Sequence, residues 1–180
     1  MFATGLISFL VLTLAQIPTL SGIPDLSTHK EIKVAVEIKA SADTVWHTLT
    51  NFPAYDIWNP YIYPASGEPI AGRQLDLTLR GRTVIHFQPT VLVAKPGEEL
   101  IWGGKVPLGA VQREVTFEIV TLEPHRVRFT AMERFRGVLL PLAGGVTRDA
   151  AAGWQAMAKA LRNRAELLDF SPPSNPVPHR

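Results

Sequence analysis

The chain contains no cysteine. That excludes disulfides, thiolate nucleophiles and cysteine metal sites, and it leaves the compartment to be read from other signals. Nor is there an excess of charge of one sign. Eighteen Lys and Arg stand against sixteen Asp and Glu, a net +2, so the broad basic surface that nucleic acid requires is missing and no nucleic-acid partner is expected. A Gly-x-Ser-x-Gly elbow, a His-Glu-x-x-His pair, a dinucleotide glycine fingerprint and a phosphate-binding loop are all absent. The histidines at 29, 47, 86, 125 and 179 have no metal-ligand spacing, and nothing in the chain calls for a metal or cofactor.

Charge is also missing from the beginning. No charged side chain precedes Asp25, and Leu6 to Ala15 is a compact apolar run resembling a signal-peptide core. Thr13-Leu14-Ala15 places small residues where a signal peptidase reads them, so cleavage before Gln16 is one expectation. An uncleaved anchor is a second, although Gln16, Pro18 and the short length fit a full membrane span poorly, and a disordered or packed cytoplasmic extension is a third. Residues 1–28 therefore read as a signal peptide or N-terminal anchor with its linker. Export to the periplasm or the exterior, or membrane association through this segment, follows from that reading. Residues 171–180 carry four prolines and are expected to be a disordered tail. What lies between, residues 29–170, is about 140 residues, enough for one domain with a sizeable core.

The strongest periodic signal is near the end. Between Val146 and Phe170, Ala150, Trp154, Met157, Leu161, Ala165 and Leu168 recur at steps of three or four and form one stripe of a long amphipathic helix. Thr147 is the expected cap and Asp149 falls in the expected first turn. At the other end of the domain, Ile32, Val34, Val36 and Ile38 alternate with polar residues, the pattern of a half-buried strand. Ser41 then offers an N-cap to a short helix, and a second short helix through Trp58 is halted at Asn59-Pro60.

Strand patterning follows. Leu75, Leu77 and Leu79 alternate up to Arg80-Gly81-Arg82, and Val84 to Val93 resumes, reading as a hairpin with Pro89 at a bulge or edge. Leu100 to Trp102, then Val115 to Ile119, then Val127 to about Phe135 supply further strands, the last two joined at Glu123-Pro124-His125. One strand, two short helices, about six more strands and one long helix make an α+β arrangement. It implies a curved antiparallel sheet of about seven strands around the C-terminal helix, with an apolar cavity between them.

Four stretches carry a family resemblance: Ser41-Ala42-Asp43-Thr44-Val45-Trp46, Phe52 to Pro60, Leu100-Ile101-Trp102-Gly103-Gly104, and Glu133-Arg134-Phe135-Arg136-Gly137. With the opening strand they make residues 31 to 168 resemble the START and polyketide cyclase superfamily, abbreviated SRPBCC, whose fold is the helix grip. The resemblance implies a deep hydrophobic pocket between sheet and long helix, bordered by loops at Pro60 to Gly72 and Gly103 to Gln112. It does not separate carriers from enzymes.

Candidate site residues follow from position on the strands and helix. The short turn before the last strand puts Glu133 on the face of Val127, Phe129 and Ala131, and Arg113 on the face of Val115 and Phe117, opposite or diagonal to each other. They form a structural or exposed ion pair, a ligand-facing polar group, or a general acid or base. A turn at Arg80-Gly81 or Gly81-Arg82 puts His86 on the face of Leu75 and Leu77, with Ile85 and Phe87 on the other face. Trp58, Trp102 and Trp154 are candidate pocket walls, Asn59 a candidate donor at the entrance, and Met157 and Leu161 line the helix stripe. Gly153, unfavourable inside a helix, marks close approach of sheet or ligand, or is merely tolerated. The first functional expectation is binding or carriage of a hydrophobic small molecule or lipid. The alternative is a polyketide cyclase/dehydratase-like enzyme with Glu133 or His86 moving a proton, and a third is an interaction module using Ile85 and Phe87. Either a monomer or a homodimer is compatible with these readings.

Overall fold

The computed structural model describes residues 29–105, 111–137 and 144–170. The leader or anchor expected at 1–28, its cleavage site, the tail at 171–180 and part of the expected 103–112 loop lie outside the described residues. Eight strands and three helices follow in order: β1 (His29–Ile38), α1 (Ala42–Thr50), α2 (Tyr55–Trp58), β2 (Ile62–Ser66), β3 (Asp76–Arg80), β4 (Val84–Phe87), β5 (Thr90–Lys95), β6 (Glu99–Lys105), β7 (Gln112–Glu123), β8 (Arg126–Arg136) and α3 (Gly144–Asp169). A single turn of 3-10 helix, Phe52–Ala54, links α1 to α2.

The sheet is antiparallel throughout and divides into a five-stranded set, β1-β8-β7-β6-β5, and a three-stranded set, β2-β3-β4. The break falls at Gln88-Pro89, where the long second strand expected from Val84 to Val93 splits into β4 and β5. Proline has no N–H to give the ladder, so pairing stops there and the chain turns a corner. The two sets are laced across that corner by backbone bonds, Leu75 N–H to Pro89 C=O at 2.9 Å and Val91 N–H to Arg73 C=O at 2.8 Å.

Alternation along the strands decides which face is inward. Ile32 and Ile38 of β1, Leu100 and Trp102 of β6, Val115, Phe117 and Ile119 of β7, and Val127, Phe129 and Ala131 of β8 are all buried on the concave side. There they meet Ala150, Trp154, Met157, Leu161 and Ala165 of α3. Each fully buried large apolar side chain contributes about 1.5–3 kcal/mol, so this seam is what holds sheet and helix together. The convex face instead carries exposed cross-strand ion pairs, such as Arg134 with Glu31 at 3.0 Å and Arg128 with Glu37 at 3.3 Å, each worth little individually.

The helix differs from its expected form at both ends. It starts at Gly144, so Thr147 sits inside it, buried, and does not cap it. Asp149 lies beyond the first turn and reaches sideways, accepting from the Arg82 backbone N–H at 3.0 Å and thereby docking the β3–β4 turn. Leu168, expected on the buried stripe, is 41% exposed.

That last turn is fixed by polar contacts instead. Ser41 caps α1 as expected, its Oγ accepting from the Thr44 N–H at 3.1 Å. The same cap receives Asp169 from α3: Oδ1 accepts from Thr44 Oγ1 at 2.7 Å, Ser41 Oγ at 3.1 Å and Ser41 N–H at 3.2 Å, while Oδ2 meets His125 Nδ1 at 2.8 Å. Burial alone works to raise the Asp169 pKa, but the hydrogen bonds from Thr44, His125 and Ser41 outweigh it and take the group from 3.8 down to about 2. A carboxylate with a depressed folded pKa stabilises above its unfolded pKa and loses that contribution as pH falls through its folded one. Asp169→Ala is therefore expected to cost about 1–3 kcal/mol at neutral pH. The difference from wild type should shrink between pH 3.8 and about 2, as read from urea midpoints of both proteins. A difference independent of pH would contradict the clamp.

Candidate functional site

On the concave face one charged pair stands out. Arg113 and Glu133 are 2% and 0% exposed. Register explains why they meet: Arg113 pairs with Phe135 and Val115 with Glu133, so the two charges are diagonal neighbours on one face. Glu133 Oε1 accepts from both Nε and Nη2 of Arg113 at 2.5 Å, and Oε2 accepts from the Trp154 indole Nε1–H at 2.7 Å. The guanidinium lies between the rings of Phe87 and Phe135, 5.2 and 5.3 Å from their centroids. Burial disfavours its charge, yet Glu133 and then Tyr61 more than offset this and hold its pKa above the ordinary value. The group is a cation at every accessible pH.

Tyr61 completes the cluster from the other side. Its hydroxyl lies beside Arg113, and its ring packs edge-on to Trp154 with centroids 5.2 Å apart. Burial, only partly countered by Arg113, pushes the phenol up to about 12, so at neutral pH it keeps its proton and can donate it in a hydrogen bond. Local chain structure fixes the position. Asn59 ends α2 ahead of Pro60, and its Oδ1 accepts from the N–H groups of both Tyr61 and Ile62 at 3.0 Å, an Asx-type turn that aims Tyr61 inward. Gly153 then makes room: a methyl group at 153 would overlap the Tyr61 ring. Of the two readings of Gly153, close approach is the one observed, and what approaches is Tyr61.

Two buried side-chain atoms among the described residues have no hydrogen-bond partner, Arg113 Nη1 and Asn59 Nδ2. Both are donors. Unsatisfied buried donors carry a cost of about 1–3 kcal/mol each, so such positions call for an acceptor.

The other candidates are distributed as follows. Trp102 is buried against Phe117 and Phe52, and Trp154, Met157 and Leu161 are buried on α3. Trp58 is half-buried with its ring edge-on to Tyr55, at 4.9 Å. His86 does not belong to this group. Arg80 pairs with Val84, leaving three residues, Gly81-Arg82-Thr83, in the turn. One residue more than a two-residue turn reverses every side chain that follows. His86 thus projects outward beside Thr78, with Nδ1 and Oγ1 3.2 Å apart, while Phe87 points inward onto Arg113. The same reversal removes Phe87 from any outer interaction face. Sequence reasoning missed Tyr61, Phe87 and Phe135; the Asn-Pro-Tyr sequence and the odd-length turn were the available signals.

Trp102, Phe117, Phe129 and Trp154 pack into the space between sheet and α3. A depression of about 410 Å³ opens on the outside, lined in part by Tyr61, Arg82, Asp149 and Gly153. Of the loops expected to border the pocket, Pro60 to Gly72 contains β2, and Gly103 to Lys105 belongs to β6.

Removing one partner of a buried pair strands the other charge. Glu133→Leu should therefore cost about 3–5 kcal/mol, and Trp154→Phe, which removes one charge-assisted hydrogen bond, about 1.5–3 kcal/mol. Guanidinium denaturation at neutral pH gives both values, and a smaller loss for Glu133→Leu than for Trp154→Phe would contradict the assignment of Glu133 as the counter-charge.

Comparison with known proteins agrees with this geometry. The profile of the family described as polyketide cyclase / dehydrase and lipid transport matches residues 29–166. No curated protein matches the chain. Among solved structures, a START superfamily protein from Mycobacterium smegmatis is 26% identical, with 77% of this chain and 98% of that one covered and a TM-score of 0.62. The Zhui aromatase/cyclase from a Streptomyces species is 14% identical over 77% of this chain and 94% of its own, with a TM-score of 0.64. Norcoclaurine synthase from Thalictrum flavum is 15% identical over 76% and 94%, with a TM-score of 0.60. The last two share the fold alone. From the profile match and this architecture together, the chain belongs to the polyketide cyclase/dehydrase and lipid transport family of the SRPBCC superfamily, with the helix-grip fold.

Proposed function

We propose that this domain binds a hydrophobic small molecule or lipid between the concave sheet and α3, with one polar end of the ligand held at Arg113 and Tyr61. The observation that carries the reading is a fully buried, partly unsatisfied cation on the concave face. A pair needed only for stability could be replaced by apolar residues at little loss or at a gain. Here the pair instead presents a free N–H beside a protonated phenol. Apolar burial against Trp102, Phe117, Trp154, Met157 and Leu161 would supply the affinity, and the donors the orientation. Because those side chains fill the interior, uptake requires them and the Tyr61 ring to move apart.

The catalytic alternative has less support. Both oxygens of Glu133 are engaged by Arg113 and Trp154, so no free carboxylate stands ready to take a proton. His86 is on the outer face, and Tyr61 holds its proton far above neutral pH. Efficient general bases have pKa values near the working pH.

The test is native mass spectrometry of the purified chain together with titration by a neutral apolar fluorophore and a fluorescent sterol. We expect a co-purified hydrophobe or saturable uptake of at least one probe at one site. A protein that carries nothing and takes up neither probe contradicts the proposal.

A further inference from the structure

We infer that the depression on the outer side of α3 is a second binding site, one that takes a phosphate group, either free phosphate or the phosphomonoester of a small molecule. It lies outside the buried Arg113–Glu133 pair and does not depend on what the interior holds.

Three stretches of chain form it. Arg80 ends β3, Arg82 lies in the turn that follows, and Arg148 comes from near the start of α3. All three line the same depression of about 410 Å³. Turn and helix meet closely because residue 81 is glycine: an added methyl group there would stand 3.0 Å from the Asp149 Cβ. Asp149 then holds the turn, accepting from the Arg82 N–H at 3.0 Å, with Arg82 Nε 3.7 Å from its other oxygen. On the helix side the lining is Ala152, Gly153 and Ala156, all small, which leaves the recess open between the arginines.

Arg80 is positioned in advance. Its Nε donates to the Tyr63 C=O at 2.8 Å, and its guanidinium lies over the Tyr63 ring, 4.3 Å from the centroid. Together these contacts fix the plane of the fork and leave its two terminal nitrogens to a ligand. A cation held this way loses less side-chain freedom when the ligand arrives.

Charge and shape select the ligand. The lining holds three guanidiniums against one carboxylate, an excess of two positive charges. A phosphomonoester above its second pKa, about 6, carries nearly two negative charges and three terminal oxygens, one for each arginine. A planar carboxylate brings one charge and two oxygens, so it leaves an arginine unmatched. The one carboxylate that would oppose the anion, Asp149, is engaged by Arg82. Tyr61, which also lines the recess, keeps its phenol proton and adds no charge.

The test is titration of the full chain at low salt and about pH 8, where the phosphate dianion dominates, with phenyl phosphate, inorganic phosphate and benzoate. Amide NMR shifts at Gly81, Arg82 and Gly153 give the readout. Phenyl phosphate should saturate these shifts and bind at least about fivefold tighter than benzoate. Arg80→Gln and Arg82→Gln should each weaken it at least about threefold, while Arg128→Gln, on the convex face, should leave it unchanged. Arg82 is 87% exposed, so its replacement leaves the fold intact and keeps the test decisive if Arg80→Gln does not fold. Inorganic phosphate binding as tightly as phenyl phosphate supports the site and makes free phosphate its ligand. Tighter phenyl phosphate supports it and makes an organic phosphomonoester the ligand. Benzoate binding as tightly as phenyl phosphate, undiminished binding by Arg82→Gln, or no titration by either phosphate overturns the inference. None of these results bears on uptake of the apolar probes.

Discussion

A guanidinium and a carboxylate taken fully out of water set the terms for the rest of this molecule. Desolvating two charges costs several kcal/mol each, and the loss is recovered only where the pair is close and its remaining hydrogen-bonding groups are used. The surroundings of Arg113 and Glu133 follow that requirement. Glu133 spends both oxygens, one on Arg113 and one on the indole of Trp154. The faces of the guanidinium are covered by Phe87 from the three-stranded set and Phe135 from the five-stranded set. Phe87 also packs closely over Gly104, where an added methyl group would press on its ring edge. The pair thus joins both sheets and the long helix at one point.

Arg113 is nonetheless left with an N–H to spare, and the proposed binding of a ligand rests on it. Tyr61 is the adjoining piece. It is held by Asn59 at its backbone, pressed onto Gly153 along its ring and set beside Arg113 at its hydroxyl. The same residue also lines the outer depression beside α3. The C-terminal end of the helix is tied down differently, by Asp169 on the cap of α1. Sheet and helix are clamped by a polar cap at the helix's C-terminal end and by a buried cluster near its middle.

How much of this was legible in the sequence depended on whether the deciding interaction was local. Alternation in β1, the Ser41 cap, the halt at Asn59-Pro60 and the stripe from Ala150 to Ala165 are short-range signals, and all are realised. Arg113 and Glu133 could be placed together because the turn between their strands is short enough to transmit register. His86 could not, because one extra residue in the turn, Thr83, exchanges the faces of β4. Leu168 fits the helical period but is exposed, and no periodicity shows which positions of a stripe find a partner surface. Tyr61 was invisible for a different reason. Its role arises from three separate stretches, Asn59, Arg113 and Gly153, meeting in space.

The central claim is that the buried cluster is where a ligand's polar end is received. The indole N–H resonances of the four tryptophans report on it directly. Trp154 donates to Glu133, Trp102 sits deeper in the core, Trp46 is buried on α1 and Trp58 is half-buried beside Tyr55. On saturation with a neutral apolar ligand, two-dimensional NMR should show the Trp154 indole shifting most and the Trp46 indole staying in place. Shifts confined to Trp58, or no shift at Trp154 at full occupancy, would place the ligand elsewhere and contradict the account.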